Sequence, residues 1–69
     1  MGDLTKNVIM ARVGAGNIKA WAEQIVETIN EFDGYDSLHI VEILMDNIIR
    51  EAEKTKNNIM EAYDELEEE

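Results

Sequence analysis

The chain has 69 residues with no cysteine, no proline, a single histidine and a formal net charge of −10. A domain this small buries only about 60% of the surface its unfolded chain exposes, so small chains usually add disulfides, a metal or a partner chain. The lack of cysteine excludes disulfides, and a structural zinc site needs more than His39 as a soft ligand. The hydrophobic share of 45% leaves self-association as the expected source of stability.

No apolar run approaches the roughly 20 residues of a membrane span, and residues 1–20 lack the apolar stretch of a secretory signal. A cytoplasmic protein is therefore expected, with no membrane partner. Charge is unevenly placed. Residues 1–22 hold one acid, Asp3, against Lys6, Arg12 and Lys19, whereas residues 23–69 hold 15 acids against Arg50, Lys54 and Lys56. Such a chain repels nucleic acid and is attracted to basic partners.

In chain order, segment 5–13 (TKNVIMARV) is rich in β-branched and apolar residues without a helix-starting signal, and predicts a short strand. Its alternation puts Asn7, Ile9, Ala11 and Val13 on one face and Lys6, Val8, Met10 and Arg12 on the other. Gly14-Ala15-Gly16 then predicts a break, with Asn17 as N-cap of a helix over 18–32 whose apolar face includes Trp21, Ile25 and Ile29. Asp33-Gly34 supplies the stop, with Gly34 able to turn left-handed, and Ser37 can cap the next helix. From Leu38 onward, Leu38, Val41, Met45, Ile48, Ala52, Thr55, Ile59, Ala62 and Leu66 follow a three-and-four spacing, a heptad seam that asks for a partner helix. Residues 38–49 are apolar nearly all round, as in a buried helix. Whether this helix runs through Thr55–Asn58 or breaks there into a third helix is left open by the sequence.

Three family patterns bear on these segments. Val13-Gly14-Ala15-Gly16-Asn17 is similar to the glycine turn of dinucleotide-binding folds, but Lys19 stands where the third glycine would be and no chain remains for the sheet. Asp36-Ser37-Leu38, followed by Val41-Glu42, resembles the serine motif of acyl carrier proteins, in which that serine would carry a phosphopantetheine arm. The flanking loop and the later short helices of that family are missing. The order strand, helix, capped turn, helix over residues 6–50 resembles the ribbon-helix-helix family. It implies a mostly α fold with a short N-terminal β-strand and two helices (three if the second one breaks), interlocked as a homodimer. Residues 1–50 would form the dimerisation core and 51–69 an acidic helical extension. The core would hold Ile9, Trp21, Ile25, Ile29, Val41, Leu44, Met45 and Ile48.

The function expected from this reading is not the DNA binding usual in that family. The ribbon would present Val8 and Met10 beside Lys6 and Arg12 on a strongly acidic chain, and phosphate neutralisation dominates DNA affinity. Glu23, Glu27 and Glu31 recur every four residues without interleaved bases, and such like-charge pairs cost a helix a few tenths of a kcal/mol each. Asp33, Asp36, Glu42 and Asp46 extend the acidic set. Four residues of helix rise about 6 Å, near the phosphate spacing of DNA. The chain is similar in this to small acidic inhibitors of phages and plasmids. The expectation is a DNA mimic that blocks the DNA site of a basic protein such as an HU-type nucleoid protein. The alternatives are a ribbon-helix-helix regulator or antitoxin, a helical adaptor that uses the heptad seam and, less favoured, an acyl-carrier-like protein. No catalytic centre, metal or cofactor is expected, because His39 has no nucleophile near it and the carboxylates lack a desolvating pocket.

Overall fold

Every residue from 2 to 68 outside one short turn is helical in the computed structural model, which describes those residues of the chain. Helix α1 spans Gly2–Asn30 and helix α2 spans Tyr35–Glu68. They fold back on each other into a hairpin of 53 × 14 × 13 Å.

The ribbon-helix-helix expectation is therefore corrected. Among the described residues there is no strand, and segment 5–13 is the beginning of α1. A two-residue alternation is present in that segment, but a seven-residue pattern overrides it. Leu4, Asn7, Ala11, Gly14, Ile18, Trp21, Ile25 and Thr28 are the residues of α1 that are buried or half-buried, and they run through the region without a break. The Gly14-Ala15-Gly16 segment does not interrupt the helix, and Asn17 is a mid-helix residue rather than a cap. The expected helix over 18–32 is the second half of α1 and ends at Asn30. Likewise α2 begins at Tyr35, ahead of Leu38, and continues through Thr55–Asn58 as one helix. The stretch from residue 51, expected as an extension, is the second half of α2 and lies against the first half of α1, as Thr55 beside Gly14 shows.

The turn is built as its residues suggest. Gly34 has φ +71°, a left-handed conformation that a side chain would strain. The Leu38 N–H donates to the Gly34 carbonyl at 3.2 Å, starting the α2 ladder. Ser37 lies inside α2 rather than before it. It is buried, and its Oγ accepts the Asp33 N–H at 2.7 Å, tying the turn to the helix.

The helices meet along a seam with heptad spacing on both sides. On α2 it is formed by Ser37, Val41, Leu44, Ile48, Glu51, Thr55, Asn58, Ala62 and Glu65. Among the described residues the large apolar side chains that are buried are Ile25 and Leu44, in the half nearer the turn. Toward the open end the seam becomes small and polar. At Gly14 the helices come so close that a Cβ would overlap Thr55 Oγ1 and lie 3.3 Å from Thr55 Cβ. Glycine mid-helix costs about 1 kcal/mol relative to alanine, so its presence here is explained by that approach.

A double-mutant cycle tests the approach. Gly14→Ala should lower stability by about 1–2 kcal/mol despite its better helix propensity, because overpacking outweighs propensity. In a Thr55→Ala background the same change should be neutral or stabilising, as read by urea denaturation. A stabilising Gly14→Ala in the parent chain would contradict the close approach.

Candidate interaction faces

Hairpin formation uses one side of each helix, and what lies beside that side decides what the molecule can do. On α1 the positions next to the seam on one side are Val8, Ala15, Ala22 and Ile29. On α2 they are Leu38, Met45, Ala52, Ile59 and Leu66. Each set repeats every seven residues, and neither contains a polar residue. Because the helices run antiparallel, both columns fall on the same side of the hairpin. The geometry at the open end agrees, since Val8, Ile59, Tyr63 and Leu66 line one shallow groove floored by Asn7, Ala11 and Ala62.

The opposite side is polar. There α1 presents Met10, Asn17 and Gln24, with Glu31 just past its end, and α2 presents Ile40, Asn47, Lys54 and Glu61. Met10 shares a groove with Asn58, Glu61 and Glu65 on this side. Two seam residues are tied across the hairpin by hydrogen bonds. Asn17 donates to Glu51 Oε2 at 3.0 Å, and Glu51 also pairs with Lys54 at 3.8 Å. Buried Asn7 donates to Glu65 Oε1 at 2.8 Å, while Glu65 Oε2 is buried with no hydrogen-bond partner. Polar pairs within an apolar seam cost stability and fix register. Here they hold α2 level with α1 so that the two apolar columns stay side by side.

The residues expected to form a core divide three ways. Ile25 and Leu44 are buried in the seam, and Trp21, Val41 and Ile48 are half-buried along it. Ile29 and Met45 are exposed in the two apolar columns. Ile9, midway between seam residues Asn7 and Ala11, is on the back of α1 and 52% exposed.

The acidic residues singled out from the sequence, Glu23, Glu27, Glu31, Asp33, Asp36, Glu42 and Asp46, are all exposed. They gather in the turn half of the hairpin but not on one surface. Glu23, two residues from both Trp21 and Ile25, is on the back of α1, with Glu27 and Glu31 rotating from there toward the polar side. Asp46, two residues from both Leu44 and Ile48, is on the back of α2, with Glu42 toward the rim of the apolar side. The full width of the molecule separates Glu23 from Asp46. Arg12, Lys19, Arg50, Lys54 and Lys56 fall at mid-height, since Asn17 is level with Glu51 and Gly14 with Thr55.

Among the described residues no cluster of His, Asp and Glu is placed to hold a metal ion, and no helix is long and apolar enough to cross a membrane. His39 is exposed near the start of α2. No family model, curated protein or solved structure matches the chain.

The polar pair at the open end gives a direct test of its cost. Asn7→Leu should destabilise by about 1–3 kcal/mol, because it strips the remaining partner from a carboxylate already short of one. Asn7→Leu with Glu65→Leu should recover or exceed parental stability in thermal melts. A change in the double variant equal to the sum of the changes in Asn7→Leu and Glu65→Leu would show that the pair does not interact.

Proposed function

We propose that this chain is a non-catalytic helical interaction module that docks its apolar face against helices of a protein partner. The observation that carries this reading is the pair of unbroken apolar columns on one side of the hairpin. Among the described residues seventeen large apolar residues are exposed, against two that are buried, and Val8, Ile29, Leu38, Met45, Ile59 and Leu66 are the ones in these columns. Scattered exposed apolar residues are ordinary, but a contiguous apolar strip along the whole molecule marks an interaction surface. Helix-in-groove recognition reads side chains at this spacing.

Competition for a DNA-binding site is a second reading, supported by a separate observation. Glu23, Glu27 and Glu31 are exposed, and none of them has a basic side chain in contact among the described residues. Carboxylates on the outer surface would engage the lysines and arginines of a basic DNA-binding protein, HU-type nucleoid proteins among them, and displace DNA. The hairpin would not itself bind nucleic acid. The two readings are compatible, because one uses the apolar side and the other the outer back and polar side.

One competition assay separates them, with labelled DNA and a purified HU-type protein. In the mimic reading, Glu23→Gln, Glu27→Gln and Glu31→Gln together abolish displacement. Binding also weakens steeply with salt, as exposed charges are screened beyond about 10 Å at 0.1 M. Undiminished displacement by the triple variant would remove that reading. For the apolar docking reading, Met45→Asp with Ile59→Asp should abolish association through this face, with a second copy or with another helical protein, in sedimentation while retaining the helical circular dichroism signal. Unchanged association would count against it.

A further inference from the structure

We propose that the occupant of the apolar face is a second copy of this chain, turned end for end, so that two hairpins close into an antiparallel four-helix bundle. The proposal rests on the reading of that face as a docking surface and names what covers it. The first argument is area. A compact monomer of 7.9 kDa exposes about 4,400 Å². The hairpin exposes 5472 Å², an excess of about 1,000 Å². A standard protein interface buries about 800 Å² per partner, so one matching face would absorb the excess.

The second argument is symmetry, and it favours a copy over an unrelated partner. A two-fold interface places the same patch on itself and pairs residue i with j and j with i, so an antiparallel column that reads alike from either end sets side chains of similar size against each other. The α2 column reads Leu38, Met45, Ala52, Ile59, Leu66: two large residues, one small, two large. The α1 column reads Val8, Ala15, Ala22, Ile29: large, small, small, large. Each is a palindrome in side-chain size. The centre of the first is Ala52, and the centre of the second lies between Ala15 and Ala22. The Gly14–Thr55 approach and the Asn17–Glu51 hydrogen bond put Ala52 level with the neighbourhood of Asn17. The two centres therefore coincide to within about 3 Å along the bundle at 1.5 Å per residue. A single two-fold axis perpendicular to the helices serves both columns. It stacks α1 on α1 and α2 on α2, with alanines at the crossing and large residues toward both ends, and the turns project from opposite ends.

The absence of cysteine makes the test clean. In sedimentation equilibrium the full chain should have twice its 7.9 kDa mass, and Met45→Asp with Ile59→Asp should return it to one chain. Ala52→Cys should form a chain-to-chain disulfide on mild oxidation, because the axis brings Ala52 against its own copy, whereas Ile9→Cys on the back of α1 should not. A dimer in which Ala52→Cys fails to cross-link to itself but cross-links to Ala15→Cys would overturn the end-for-end arrangement. It would place the turns at the same end. A monomer that binds hydrophobic dye would overturn the second copy while leaving the docking face, and a monomer that binds none would overturn both.

Discussion

The seam between α1 and α2 constrains everything else in this molecule. Its heptad spacing makes the helices a pair, but much of its content is small or polar: Asn7, Gly14 and Thr28 on one side, and Ser37, Glu51, Thr55, Asn58 and Glu65 on the other. Such residues let the backbones approach and set the register, yet they remove little apolar surface from water. At about 25 cal/mol per Å² of apolar area, most of the available hydrophobic stabilisation is not realised inside one hairpin. Part of it lies beside the seam, in the two columns that hold Val8, Ile29, Leu38, Met45, Ile59 and Leu66.

That division of labour explains why part of the fold was legible and part was not. The three-and-four spacing from Leu38 to Leu66 is real, and α2 follows it, but it marks the wrong contact. Val41, Ile48, Thr55 and Ala62 face α1, whereas Leu38, Met45, Ala52, Ile59 and Leu66 sit one step to the side. Hydrophobicity marks the more apolar of two adjacent sides, and the intramolecular seam was hidden by its own polarity. The turn was readable because its chemistry is local: Gly34 takes the left-handed conformation and Ser37 binds the turn backbone. TKNVIMARV satisfies strand propensity and Gly14 has the look of a break, so the sequence of the N-terminal third points to a strand where the structure has a helix. The role of Gly14 as a contact with Thr55 requires knowing which residue lies opposite, 41 positions away. Propensity is a weak prior, and tertiary packing overrides it here.

The acidic residues illustrate the same limit. Glu23, Glu27 and Glu31 read as a row on one helix in the sequence, and in the structure Glu23 and Glu27 are on α1 while Glu31 lies just past its end. Their relation to Glu42 and Asp46 depends on how the helices face each other, and the hairpin turns the two groups outward on opposed flanks. Glu23, Glu27, Glu31 and Asp46 face away from the apolar side, whereas Glu42 lies toward its rim. Arg12, Lys19, Arg50, Lys54 and Lys56 fall at mid-height, while acids lie toward both ends, Glu23 to Asp46 near the turn and Asp3, Glu61, Asp64, Glu65 and Glu67 at the open end.

Small-angle X-ray scattering tests the central claim, that the chains join side to side rather than through their ends. Stacked hairpins should scatter with the mass of two chains, while the longest dimension stays near the 53 Å of one hairpin and only the cross-section grows. A particle of two chains with a longest dimension close to double that length, or one with the mass and cross-section of a single hairpin, would contradict the account.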